Sequence, residues 1–346
     1  MNKTLVRHLL SAILLLTFFH TAESQEFAYK AGYYGFFHNQ EYFNPYILPQ
    51  TMGGSRIYGQ VGFQLNENQS FYGGANYLYE FGAEPADHPI SPIMYYQFLH
   101  KNLDVYLGSF PRYDIINMPE LLLIDTLKYY RPNIEGIFLK GKNEWGYQNA
   151  WLDWTSRQTD TRRETFSLGL TGQLNMGDFF WRHHFIMFHY AGPAVRIPDD
   201  HIRDNGGGLL GLGVDLSKDY IFDSLSIYSA YAISYDQHRD VYETRFYHGL
   251  FIELNILYKF IGIKNTFYKG DGQVQLLGDK FYTAKTYNRT DVYWKLFKQD
   301  WVKGYVEFGF HIVPGILDMH QKFTIQVDLD GKIKPNPSKN ASASDL

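Results

Sequence analysis

Long and short connections between amphipathic segments alternate along much of this chain, and this pattern constrains the fold more than any motif does. Segments of about ten residues, with apolar and polar side chains in alternation, are joined first by a long connection and then by a tight turn. The first six connections are residues 38–55, 66–69, 82–91, 101–102, 111–132 and 141–143. A closed antiparallel barrel that crosses a membrane has long loops at one end and short turns at the other. A soluble β-sandwich also alternates strands and turns, but nothing in it confines the long loops to one end.

The alternation within the segments gives each strand one apolar and one polar face. Val61 and its odd-numbered neighbours are apolar, whereas Gln60 and Gln64 occupy even positions. The segments with the clearest alternation are residues 57–65, 166–174, 250–257 and 322–329. Because successive side chains of a strand point to opposite sides, these segments predict a lipid-facing surface and a polar lumen.

The segments predict an all-β transmembrane barrel of about sixteen antiparallel up-and-down strands, since an even number places both termini at one end. The predicted strands begin near Phe27, Arg56, Ser70, Ile93, Leu103, Asn133, Glu144, Glu164, Phe179, Gly207, Asp223, Phe246, Gly262, Thr290, Val302 and Asp318. Fourteen or eighteen strands remain alternatives, because residues 259–263 carry no clear turn signal.

Residues 1–24 have the pattern of a secretory signal peptide. Lys3 and Arg7 precede a short apolar segment at residues 9–19, and Ala22 and Ser24 are small residues at the predicted cleavage site. The apolar segment is too short for a membrane-spanning helix, which needs about 20 residues. Removal of 24 of the 346 residues leaves 322, and these allow about 20 residues for each strand and its connection.

The composition supports a single barrel over residues 25–331, followed by a polar disordered tail at residues 332–346. Aromatic residues make up 18% of the chain, and barrels in membranes place such residues in girdles at both interfaces. The chain has no cysteine, so no disulfide framework holds the fold. Its formal net charge of −4 gives no general attraction to nucleic acid, which we do not expect as a partner.

The connection between the fifth and sixth strands is the most distinctive local feature. Pro119 and Glu120 precede the apolar run at residues 121–124, and Lys128 follows it. An acidic group near the start and a basic group near the end favour a short helix. In architecture and loop order the chain resembles the general diffusion porins of Gram-negative outer membranes, whose corresponding loop folds into the lumen and narrows it. No sequence motif of that family is matched.

The resemblance implies a pore constriction formed by this loop. The residues predicted to line it are Arg112, Asp114, Glu120, Asp125 and Arg131. Arg56 or Arg182 would oppose them from the barrel wall. Rings of charged groups at a narrow point select ions and small solutes. In the alternative, the apolar run packs against the wall and its charges remain in bulk solvent.

The histidines of the ninth strand do not predict a metal site. His183 and His184 are neighbours and therefore face opposite sides of the sheet, and His183 and His189 share a face but lie about 20 Å apart. We therefore expect neither a metal nor another cofactor.

The chain also lacks the local signatures of a hydrolase. Ser156 near Asp153 and Asp160, and Asp236 near His238, are the local clusters, and neither matches a nucleophile or metal motif. The sequence alone therefore predicts a protein that is not an enzyme.

The predicted function is a porin-like channel in the bacterial outer membrane for passive diffusion of small hydrophilic solutes. The expected partners are these solutes and outer-membrane lipid, and a homo-oligomer remains open. Two alternatives are a structural or assembly-associated barrel without an open pore and a lipid-modifying hydrolase of the outer membrane.

Overall fold

The structure, a computed structural model, describes residues 26–84, 88, 90–113, 115–195, 200–217, 220–297 and 299–333. The predicted signal peptide lies outside these residues, as do Asp114 and residues 334–346 of the predicted tail. No helix in the described part of the chain is both long and apolar enough to cross a membrane.

Sixteen antiparallel strands form a closed barrel, in which each strand pairs with its neighbours in the sequence and β1 pairs with β16. The strands are β1 Glu26–Glu41, β2 Gln50–Asn66, β3 Gln69–Glu80, β4 Ile90–Leu99, β5 Leu103–Pro111, β6 Asn133–Asn143, β7 Gly146–Ser156, β8 Thr165–Met176, β9 Phe179–Tyr190, β10 Arg203–Asp215, β11 Ser224–His238, β12 Tyr242–Tyr258, β13 Ile261–Gly270, β14 Thr286–Lys295, β15 Val302–Val313 and β16 Ile316–Ile333. The predicted fold class and strand number are confirmed. The largest difference in a strand start is in β2, which begins at Gln50 because residues 50–55 continue the pairing with β1.

The connections define two ends of the barrel, which we call the loop end and the turn end. The loop end carries residues 42–49, 81–89, 112–132, 157–164, 191–202, 239–241, 271–285 and 314–315. The turn end carries residues 67–68, 100–102, 144–145, 177–178, 216–223, 259–260 and 296–301. The predicted alternation of long and short connections holds as far as β10. It fails after that strand, where residues 216–223 are longer than residues 239–241.

The predicted alternation of faces places apolar side chains on the outside of the barrel. Met94 and Val61 are 73% and 66% exposed on the outer surface, whereas Gln60, next to Val61, is 5% exposed on the inside. The inward face also contains buried aromatic side chains, such as Phe251 and Tyr287. The lumen is therefore partly filled by packed rings rather than lined by polar groups alone.

Met94 and Ile90 provide a direct test of the outer face, since both are exposed side chains on β4. Met94 lies in the middle of the strand, and Ile90 lies at its loop end. Met94→Arg should lower the free energy of unfolding by about 2–4 kcal/mol and Ile90→Arg by about 0–1 kcal/mol, because charge costs most near the bilayer midplane. Denaturant unfolding in lipid vesicles measures both values. Equal losses would show that β4 does not cross the bilayer as assigned.

Candidate functional site

Two long connections turn inward and fill the loop end of the lumen. We call residues 112–132 the first inward loop and residues 271–285 the second inward loop. Their backbones are joined where Ile124 N–H donates to Leu277 O and Asp279 N–H donates to Glu120 O, each at 2.8 Å. A Cβ at Gly278 would overlap the carbonyl oxygen of Leu121, so the close approach of the two loops requires glycine there.

The helix of the first inward loop is shorter than predicted and lies later in the sequence. This loop contains a short helix, α1, at Leu127–Tyr130, preceded by turns in which the N–H groups of Leu122 and Leu123 bond to Pro119 O. A longer helix does not form because the N–H of Ile124 bonds to the second inward loop. Leu121 and Leu122 are fully buried in the aromatic core of the lumen.

The first inward loop presents its acidic side chains to basic groups on the wall. Glu120 forms an ion pair with Arg289 of β14. Asp125 lies 3.4 Å from the Nζ of Lys322 on β16 and also pairs with Lys128 within the loop. The pKa of Asp125 is lowered: burial would raise it, but the ammonium groups of Lys322 and Lys128 outweigh that effect.

Two lumenal cavities meet at this charged contact. A cavity of about 210 Å³ and another of about 170 Å³ both border Glu120, Asp125, Arg289 and Lys322. The cavity of 170 Å³ also borders Asp279 of the second inward loop. Burial, and then the nearby Glu120 carboxylate, raise the pKa of Asp279 to about 7. The charged contact thus borders both cavities, and a pore constriction at this place stays a prediction.

The other predicted constriction residues have different positions. Arg112 is buried in an ion pair with Asp153 of β7, and its guanidinium also donates to the carbonyl oxygen of Arg131 at 3.1 Å. The Arg131 side chain is half-buried. Arg56 contacts the loop from the wall by donating to the carbonyl oxygen of Lys128 at 2.8 Å.

Arg182 does not oppose the first inward loop. Its Nε donates to Gln173 at 2.8 Å, and its guanidinium lies 4.0 Å from Glu253. Besides Arg56, the basic wall groups that contact the loop are Arg289 and Lys322, and neither was predicted to oppose it.

A hydrogen-bonded chain of side chains lies on the wall beside this contact. Tyr287 OH bonds to His311 at 2.6 Å, His311 to Nδ1 of His320 at 2.7 Å, and His320 Nε2 to Glu307 at 3.0 Å. Ligand atoms of Asp291, Glu307 and His320 come within 4.8 Å of one another.

The charges around these three residues do not fit a resident divalent cation. Arg289 Nε contacts Asp291 at 2.8 Å, and Lys322 Nζ contacts Glu307 at 2.8 Å. The two carboxylates are therefore already neutralised by buried cations, which would repel a metal ion at the same place.

A second polar cluster lies on the outer surface near the loop end. Five side chains stand side by side across β7 to β11, because each is the register partner of the next. They are Trp154, Phe166, His189, Asp204 and Gln237. We call them the outer row. They lie on the same face as the outward-pointing Leu168 and Leu210, so the outer row faces the membrane.

His189 and Asp204 form the centre of the outer row. His189 Nδ1 lies 2.6 Å from Asp204 Oδ1, and Arg239 contacts Asp204 Oδ2 through Nε at 2.9 Å and Nη2 at 2.6 Å. The Phe166 ring packs against the imidazole with 4.9 Å between ring centroids. Among the described residues nothing hydrogen-bonds to Nε2 of His189. This nitrogen is therefore available to a water molecule or a ligand.

From the sequence alone, His189 was a candidate only as a metal ligand, and Asp204 was not a candidate for any site. The hairpin of β9 and β10 was a sequence feature from which this pair could have been found. His189 is one residue from the end of β9, and Asp204 is one residue from the start of β10, so antiparallel pairing brings them opposite each other.

Comparison with known proteins identifies the family of this chain. A sequence model of the family described as lipid A 3'-O-deacylase-type matches residues 19–334. The chain belongs to this family. No curated protein sequence matches the chain.

Solved structures show the same barrel architecture at very low sequence identity. A loop L8 deletion mutant of OmpT, an outer membrane protein of Vibrio cholerae, has 9% identity and a TM-score of 0.53, covering 89% of this chain and 100% of that one. An anion-selective porin from Comamonas acidovorans has 7% identity and a TM-score of 0.52, with 88% and 99% covered. The porin-like barrel resemblance is therefore confirmed at the level of the fold.

The prediction that the chain is not an enzyme is wrong, because the lipid A 3'-O-deacylase-type family is an enzyme family. The lipid partner fits this assignment. The enzyme assignment does not come from the local clusters that were considered in the sequence. Ser156 donates to the carbonyl oxygen of Arg163 at 2.7 Å. Asp153 pairs with Arg112, and Asp236 pairs with Arg203 at 2.9 Å. A homo-oligomer stays a prediction.

Proposed function

We propose that this chain hydrolyses an acyl ester of a lipid A-type glycolipid, with His189 and Asp204 as its catalytic pair. The observation that carries the proposal is the position of this pair on the lipid-facing wall near the loop end. Phe166 and Trp154 lie beside it in the outer row, and aromatic side chains of membrane proteins mark the level of the headgroups. Ester bonds of membrane lipids lie just below that level.

A lipid substrate has easier access to the outer row than to the lumenal histidines. An acyl chain anchored in the bilayer reaches the outer wall by lateral diffusion, whereas entry into the lumen would require it to leave the hydrocarbon. The His320 side chain is 1% exposed and borders the 170 Å³ cavity beside the two inward loops. The outer pair is less enclosed, with side-chain exposures of 18% for His189 and 13% for Asp204.

The geometry suits a reaction in which His189 acts as general base and water attacks the ester. Asp204 accepts the Nδ1 proton of His189 and so directs the free Nε2 outward. Nε2 takes a proton from a water molecule as its oxygen attacks the ester carbonyl, and the resulting imidazolium returns the proton to the leaving alkoxide. The ester bond breaks, and the products are a fatty acid and an alcohol. Arg239, which is half exposed, lies where its guanidinium can bind an anionic group of the lipid.

The test is release of fatty acid by the full-length barrel in mixed micelles. Lipid A and a glycerophospholipid are supplied separately, and mass spectrometry follows both products. We expect lipid A to lose one acyl chain in exchange for a hydrogen atom. Absence of release from lipid A by a folded barrel would contradict the proposed function.

We also propose passive diffusion of small hydrophilic solutes as a second function, since two lumenal cavities meet at one charged contact. Glu120→Gln together with Asp125→Asn should reduce the preference for cations over anions. The change should shrink in 1 M salt, because the Debye length falls from about 10 Å at 0.1 M to about 3 Å at 1 M. Reversal potentials in planar bilayers measure it, with Asp160→Asn in an exposed loop as the control. A folded barrel that carries no current would contradict this function.

A further inference from the structure

A lumenal cavity of about 430 Å³ lies between β1–β5 and β16, on the turn-end side of the first inward loop. Tyr113 and Ile115 of the first inward loop close it toward the loop end. Its volume lies in the range of about 300–1,000 Å³ that is typical of small-molecule sites. The lining strand nearest to β9 is β5, which is four strands away around the barrel, and the cavity faces the lumen rather than the lipid. It is therefore separate from the outer row.

One wall of this cavity is aromatic. Tyr95 of β4 and Tyr106 of β5 line it, with 6.1 Å between their ring centroids. Tyr72 of β3 stacks behind Tyr95 at 5.1 Å. The stacked rings fix one another, so the wall offers a rigid apolar surface to a ligand.

The facing wall is polar, with its groups held in place. Asp328 accepts hydrogen bonds from Tyr58 OH and Gln326 Nε2, each at 2.6 Å. Gln60 lies on the same wall and is 5% exposed, and its side-chain carbonyl has no hydrogen-bond donor among the described residues. A buried acceptor without a donor is uncommon in proteins, so this carbonyl is suited to accept a hydrogen bond from a ligand.

The formal charges of the cavity cancel. Lys30 and Arg56 are balanced by Asp328 and Asp330, all of which line it. Arg56 is also engaged already, since its guanidinium donates to Tyr113 OH and to the carbonyl oxygen of Lys128. The cavity therefore gives no net attraction to an anion.

We propose that this cavity binds a neutral sugar, a monosaccharide or disaccharide with a pyranose ring. A pyranose has an apolar C–H face, which fits against Tyr95 and Tyr106, and hydroxyl groups at its edge, which can donate to Gln60 and Asp328. The proposal does not rest on the deacylase activity, because its site lies in the lumen and the outer row lies on the lipid-facing wall.

The test is isothermal titration of the full-length barrel in detergent with glucose, maltose, sorbitol and glucose 6-phosphate. We expect saturable binding of glucose or maltose. Sorbitol should bind at least tenfold more weakly because it lacks a ring face, and glucose 6-phosphate should bind no more tightly than glucose. Gln60→Ala should weaken sugar binding by about tenfold, which is the loss expected for one hydrogen bond.

Gln64→Ala is the matched control, because Gln64 lies on the same strand and face but does not line the cavity. It should leave binding unchanged. Asp328→Asn is a second variant, and it tests the same wall if Gln60→Ala fails to fold. Three results would overturn the proposal: no saturable sugar binding, equal binding by the two glutamine variants, or tightest binding of the phosphate.

Discussion

His189→Gln should lower the rate of acyl-ester hydrolysis by about 10²- to 10⁴-fold, the usual contribution of a positioned general base. Glutamine keeps a polar side chain of similar length at this position but cannot accept a proton from water at neutral pH. The fold should be unaffected, because His189 lies on the outer surface and its contacts are local to β8–β10. The measurement is kcat/KM for fatty-acid release from lipid A in mixed micelles.

His183→Gln is the control for this variant. His183 lies on the same strand and on the same outward face as His189, and its ring packs against Trp181 at 4.9 Å. It has no carboxylate partner among the described residues, so its replacement should leave the rate within about twofold of the wild type, an effect below about 0.5 kcal/mol. Equal losses in the two variants would show that the outer row is not the catalytic site. If the rate fell only in a lumenal variant such as His311→Gln, the catalytic site would lie in the lumen.

The strands and their faces could be predicted because they depend on local order in the sequence. Alternation around Val61 fixes which of its neighbours face lipid, and no distant contact changes it. The tight turns as far as β10 could be located for the same reason, whereas the inward folding of residues 112–132 was implied by the resemblance to porins. The number of strands followed directly from the count of these segments.

The sites could not be predicted in full because they are assembled by pairing and loop packing. The Glu120–Arg289 pair joins residues 169 positions apart, and only the descent of the first inward loop brings them together. His189 and Asp204 are 15 positions apart and match no hydrolase motif, so their meeting depends on the register of one hairpin. A search for local motifs therefore missed the feature that best fits an enzyme.

Arg289→Met should lower the free energy of unfolding by about 3–5 kcal/mol, since it removes one partner from a buried network of charges. The Arg289 side chain is 8% exposed and contacts Glu120, Asp291 and Glu307. Methionine fills similar volume but leaves these carboxylates with less compensating charge. The first inward loop would also lose its ion pair to the wall. Denaturant unfolding in detergent, followed by tryptophan fluorescence, gives the value.

Arg245→Met provides the comparison, because Arg245 is an exposed side chain on β12 that stacks on Tyr242 and forms no ion pair among the described residues. Its replacement should change the free energy of unfolding by about 0.5 kcal/mol or less. A small effect at Arg289 would mean that water enters the network and screens its carboxylates. The contact between the first inward loop and the wall would then be a solvated gap rather than a closed one, and Glu120 would be free to face a passing solute.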